Sequence, residues 1–215
     1  MADLAPFEIT AFTERLIDTG LELTDAEWEA DMLQVIVHGV ERLNQKLGHP
    51  RAVHLATGGV SLGLTLTGGG LAYPWWIVPW RRRIIFSVKT LRQSPDWRGQ
   101  VAVVHELAHI WDAKQSNWLD RLLARGGPIV RAMLKYVGDE PGPTCYGGLG
   151  APECGFARNP REEWAESVAT YFYPEYIEWL QANKPAERTA GLRPKHRAFV
   201  ELQIEQLRAR FDVNI

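Results

Sequence analysis

The stretch Val101–Trp111, VAVVHELAHIW, constrains this chain more than any other. It is apolar and holds neither proline nor glycine, so it predicts a buried helix. Within it lies His105-Glu106-Leu107-Ala108-His109, an HExxH unit. A helical turn takes about 3.6 residues, which sets His105 and His109 on one face, one above the other. Two imidazoles so spaced can hold one zinc ion. Glu106 then stands beside the open coordination position, where it can take a proton from water activated there. Polar side chains in an apolar segment cost free energy unless paired or coordinated, which sets the zinc reading above a structural histidine pair on an ordinary helix.

The size and composition leave room for such a site and exclude several other classes. A chain of 215 residues can build one sizeable core, or a catalytic domain with a small helical extension. A hydrophobic fraction of 46%, with 9 Trp, 7 Phe and 6 Tyr, argues against global disorder. The 24 basic and 26 acidic residues nearly balance, giving no case for a nucleic-acid or anionic-membrane partner. Arg81-Arg82-Arg83, the tight basic triplet, reads as a solvated strand entrance. No apolar run approaches the roughly 20 residues of a membrane helix. The start, MADLAPFEITAFTERL, has acids before its first base and no apolar run, so no secretory signal is expected. That favours the cytoplasm, with secretion by another route as the alternative. Cys145 and Cys154 share one Gly/Pro-rich loop, compatible with a disulfide or with two thiols.

Along the chain, residues 1–50 read as an N-terminal arm and helix packed on a catalytic domain spanning 51–215. A short helix is expected around Phe12–Asp18, ended by Gly20. Thr24 and Glu27 form a capping box for a helix reaching about Leu47, stopped by Gly48 and Pro50. Residues Arg51–Thr57 alternate and predict a strand. Val60–Thr67 and Ile84–Lys89 predict two more, with Gly58-Gly59 and Gly68-Gly69-Gly70 as hairpin turns. Tyr73–Trp80 is a proline-punctuated aromatic segment. An edge strand near the HExxH helix could pair with an extended substrate backbone. Ser94-Pro95 is the expected start of that helix, although Gly99 weakens its first turns. Short helices are expected over Asn117–Arg125 and Pro128–Tyr136, then an irregular stretch, Gly138–Arg158. Asn159-Pro160 restarts helix to about Tyr173, with a continuation past Pro174, and a last helix covers Pro194–Arg210.

Two histidines leave the ligand set short, since a catalytic zinc usually has three protein ligands. A further His six residues beyond His109 would extend the motif, but that position is Gln115. Downstream, His196 sits in an Arg/Lys-rich context, and a carboxylate is the better candidate. Asn159–Glu166 supplies Glu162, Glu163 and Glu166. Glu162 and Glu166 form a like-charged i,i+4 pair, unfavourable on a bare helix and relieved if both face a metal–histidine cluster. Asn159-Pro160-Arg161-Glu162 also reads as a helix cap, in which case Glu163 or Glu166 would be the ligand. Asp112 shares approximately the face of His109 and could brace a histidine or a neighbouring arginine.

HELAH followed about fifty residues later by PREEWAES resembles the gluzincins, zinc proteases whose third ligand is a glutamate on a second helix. It is especially similar to the lethal factor catalytic-domain family of bacterial and phage proteins, over roughly residues 84–180. The resemblance implies an α+β zincin-like domain: a small twisted mixed β-sheet, the HExxH helix and a second, glutamate-bearing helix. It implies Zn2+ held by His105, His109 and Glu162, with Glu106 as general base and a peptide or protein substrate. Glu166, one turn on, would accept a hydrogen bond from the other ring nitrogen of a ligating histidine, His105. The family also uses a tyrosine or histidine to donate to the developing oxyanion; Tyr146 is the candidate, although its spacing departs from the family's tyrosine. The competing expectations are a non-catalytic zinc-containing interaction domain and a zinc hydrolase with a non-peptide substrate.

Overall fold

The computed structural model describes residues 6–24, 27–66, 71–73, 82–116, 126–146, 158–184 and 189–211. They belong to two units, residues 1–110 and 111–215. In the first, helix α1 (Pro6–Asp18) is longer than the short helix expected there. Gly20, at φ +81°, turns the chain into strand β1 (Leu21–Leu23).

Helix α2 (Ala30–Leu47) starts later than the Thr24 capping box predicts. Thr24 serves the sheet instead: its N–H and its hydroxyl donate to the Leu62 carbonyl at 2.9 and 2.8 Å. The expected apolar side of α2 is buried, from Met32 through Val35, Ile36, Val40 and Leu43 to Leu47.

The strand expected over 51–57 is a helix, α3 (Ala52–Thr57). Ala52, Val53, Ala56 and Thr57 are buried, the spacing of one helical face. The Asn44 carboxamide holds the entry to α3, accepting from the Val53 N–H at 2.9 Å and donating to the Pro50 carbonyl at 2.7 Å. Over so short a run the two periods are not separable from sequence. Gly58, read as part of a hairpin turn, is the left-handed cap that ends α3.

Strands β2 (Val60–Thr65), β3 (Leu71–Tyr73) and β4 (Arg83–Ser87) complete a four-stranded mixed sheet in the order β1-β2-β4-β3. β1, β2 and β4 are parallel, and β3 runs antiparallel to β4. β4 therefore lies between β2 and β3, and Gly68–Gly70, expected as a hairpin turn, lies outside the described residues. β1 and β3 are the edges. Leu62, Ile84 and Phe86 bury the sheet's core side chains. The strand expected to reach Lys89 stops at Ser87, whose Oγ accepts from the Thr90 N–H and caps a one-turn helix, α4 (Val88–Leu91). The aromatic stretch 74–80 and the helix expected over 117–125 lie outside the described residues.

Helix α5 (Trp97–Lys114) carries the HExxH unit and begins after, rather than at, Ser94-Pro95. Gly99, which looked like a weakness, is a close approach. A Cβ there would stand 2.7 Å from Val35 Cγ1 and 2.8 Å from the Leu91 carbonyl oxygen.

The second unit, as described, is helical: the end of α5, then α6 (Pro128–Val137), α7 (Pro160–Phe172), α8 (Glu175–Asn183) and α9 (Pro194–Phe211). α6, α7 and α9 pack on one another. Met133, Trp164, Val168, Phe172, Phe199, Val200 and Ile204 form its core. Trp164 is central, meeting Trp111 edge-on at 5.6 Å and Phe199 at 6.1 Å between ring centres. The expected break at Pro174 falls between α7 and α8.

Candidate metal centre

The helix α5 is buried on nearly every side. Val101, Val103, Val104, Leu107, Ala108, Ile110 and Trp111 are all core residues, which explains why the run carries so little polar sequence. His105 and Glu106 are buried among them, each 7% exposed. His105 and His109 turn toward each other, with ring centres 4.9 Å apart and planes at 80°. Their Nε2 atoms lie 3.2 Å apart.

That separation is informative. Ligands at the usual zinc–nitrogen distance of about 2.0–2.1 Å, arranged as a tetrahedron, are about 3.3 Å from one another. The imidazole pair already has the edge length of a tetrahedral site. Glu162 on α7 completes the set: one ligand atom each from His105, His109 and Glu162 lies within 4.8 Å of the others. Two neutral nitrogens and a carboxylate are a donor set suited to zinc, and they leave a fourth position open. The residues present fit the ion.

Local structure explains why Glu162 can play this part. Asn159 caps α7, its side chain accepting from the Arg161 N–H at 3.2 Å, and Pro160 occupies the first turn. Glu162, the capping glutamate of one sequence reading, belongs to the histidine cluster. Glu163, an alternative ligand, is committed elsewhere. It is wholly buried, accepts from Arg158 Nε at 2.6 Å and from Arg158 Nη2 at 2.5 Å, and its Oε1 lies 2.7 Å from His196 Nε2. Burial alone would push its carboxyl up, but Arg158 and His196 outweigh that and hold it below the ordinary glutamate range. Glu166, the third alternative, is buried one turn beyond Glu162 and accepts from Thr144 Oγ1 at 3.1 Å.

Glu106 makes no hydrogen bond among the described residues, so its carboxylate is uncommitted. Asp112 is buried and accepts from the N–H groups of Gly127 at 2.5 Å and Val130 at 3.1 Å. It thereby caps the start of α6. Burial pushes its carboxyl up, against the lowering effect of those N–H groups and of Arg161, the neighbouring arginine. Tyr146 lies in the turn after the disulfide-bonded Cys145 and is 58% exposed.

Sequence reasoning sets His196 behind a carboxylate as a candidate ligand and gives it no other part. It is wholly buried, with both ring nitrogens on carboxylate oxygens, those of Glu163 and Glu140. A signal was present: His196 opens the stripe Phe199, Val200, Gln203, Ile204, Leu207, the buried face of α9. Comparison with protein-family models, with curated proteins and with solved structures finds no match. What identifies the centre is thus its own donor set: two imidazoles one helical turn apart and a carboxylate from a second helix, in an α+β fold.

Proposed function

We propose that this protein is a zinc-dependent endopeptidase of the gluzincin type, similar to the lethal factor catalytic-domain family. The observation that carries the reading is the cluster of His105, His109 and Glu162 with an uncommitted carboxylate, Glu106, next to His105 on the same helix. A structural zinc site closes its fourth position and needs no base, so this donor set favours catalysis over an interaction domain.

Zinc bound there would supply Lewis acidity toward a scissile carbonyl and lower the pKa of water at the open position. Glu106 accepts the proton of the attacking water and returns it to the leaving amine. Glu166 orients a ligating histidine, and Asp112 steadies the end of α5 beyond His109 through its cap on α6. Tyr146 donates to the oxyanion as the carbonyl becomes tetrahedral. Residues 51–215 form the catalytic part, with the arm and helix of 1–50 packed on it and β1 joining its sheet. A disulfide at Cys145 supports an oxidising compartment over the cytoplasm.

The deciding experiment pairs zinc stoichiometry with an unbiased peptide-library digest of wild type and Glu106→Gln. The expected result is one zinc per chain in both and cleavage in wild type alone. Cleavage by Glu106→Gln at the wild-type rate would exclude the assigned base. Zinc bound by both with no peptide cut would favour the interaction domain or a hydrolase of another substrate.

A further inference from the structure

Glu163 and His196 belong to a buried polar network that zinc ligation does not use. Arg158 grips both oxygens of Glu163 and donates onward to the carbonyls of Gly138 at 3.0 Å and Glu140 at 3.3 Å. His196 joins Glu163 to Glu140, whose Oε1 lies 3.0 Å from His196 Nδ1. The same oxygen accepts from the N–H groups of Lys195 at 2.9 Å and His196 at 3.1 Å, the first turn of α9. One side chain on α7 is thus tied to the segment after α6, to the residue before α7's own cap, and to the start of α9.

Its place on α7 gives the network a consequence for its neighbour. Glu162 lies in the helix's first turn, where backbone N–H groups lack helical partners and fraying starts, and Glu163 follows it with the first helical bond, its N–H donating to the Asn159 carbonyl at 2.9 Å. A frayed turn would swing the Glu162 carboxylate away from the imidazoles. Consecutive helical residues differ by about 100° in direction, so fixing Glu163 into the core fixes the direction of Glu162 as well. Buried ion pairs contribute little net stability compared with apolar packing, and their best-attested use is to specify one arrangement.

We propose that His196, acting through Glu163, is a positioning residue for the metal ligand Glu162. The inference rests on the zinc reading above. Its test is zinc affinity of the full chain, measured by competition with a chromophoric chelator, for wild type, His196→Asn, Glu162→Ala and the double variant. The visible spectrum of the cobalt(II)-substituted protein reports ligand geometry alongside. His196→Asn should weaken zinc binding by about 10–100-fold, the range for groups that orient ligands, and alter the cobalt spectrum. In the Glu162→Ala background the same change should alter affinity by less than about twofold, because the group it positions is gone.

A merely structural histidine would weaken binding equally in both backgrounds, and that result overturns the proposal. Wild-type affinity retained in His196→Asn overturns it too. If His196→Asn fails to fold, Glu163→Gln enters the same cycle and is read by the same criteria. Wild-type protein that takes up no zinc overturns the zinc reading itself and this inference with it, an outcome distinct from the other two.

Discussion

Trp111 and Trp164 meet edge to face at 5.6 Å, each two residues beyond a member of the His105, His109 and Glu162 cluster on its own helix. Trp111 follows His109 on α5, and Trp164 follows Glu162 on α7. Trp164 is wholly buried and also contacts Phe199 of α9, so one indole ties α5, α7 and α9 together. Such a residue is not one of the clustered side chains, yet its packing sets where α7 stands.

Trp164→Ala should therefore leave a large cavity and cost about 3–5 kcal/mol of folding stability. Trp164→Phe, which keeps an aromatic ring, should cost less than half as much. Urea denaturation followed by circular dichroism, with chelator present, measures both. Equal losses for the two substitutions would mean that indole packing is not what holds this core.

The Glu163 carboxyl sets the direction of one pH effect. Its folded value is held below the ordinary 4.5, so its ionised form is favoured by folding. That contribution is present above the unfolded value and is lost as pH falls through the folded one. Wild-type apoprotein should lose stability more steeply between about pH 6 and about pH 3 than Glu163→Gln does. The variant should be less stable near neutrality, where Arg158 and His196 lose an ionised partner. A parallel pair of stability–pH curves would show that Glu163 titrates alike in both states.

The capping role of Asp112 has its own signature. Asp112→Ala strips the acceptor from two backbone N–H groups at the start of α6, at a cost of about 1–3 kcal/mol. Asp112→Asn keeps one acceptor oxygen and should fall between wild type and alanine. Hydrogen exchange would localise the effect, with the first turn of α6 losing protection ahead of α9. Uniform loss across both helices would place the role of Asp112 elsewhere.

The HExxH unit was legible because everything it needs is local: a helical period, an apolar context and two residue types that coordinate metal. Glu162 was legible only as one of three carboxylates. Selecting it requires knowing that Arg158 and His196 claim Glu163 and that Thr144 meets Glu166, contacts spanning 5, 33 and 22 positions in sequence. The misread segments share that cause. Thr24 looked like a cap but bonds Leu62, 38 residues away, and Ala52–Thr57 became helical under a side chain from α2. No local pattern of β2 or β3 tells that β4 enters between them. In each of these the deciding partner lay outside the misread segment itself.

Zinc should stabilise the fold, because an ion held by His105, His109 and Glu162 would bind the folded chain and not the unfolded one. At a free zinc concentration about 100 times the dissociation constant, mass action adds about 2.7 kcal/mol. His105→Ala and His109→Ala should each abolish this increment, since either leaves one imidazole and one carboxylate. Glu162→Ala should retain part of it, because the imidazole pair, 3.2 Å apart, survives intact. Glu106→Gln should keep all of it, as Glu106 is not among the three clustered side chains. Thermal unfolding of the five proteins, each with chelator and with zinc, reads out the series. A zinc-induced shift surviving in His105→Ala would mean that the ion binds elsewhere in the chain.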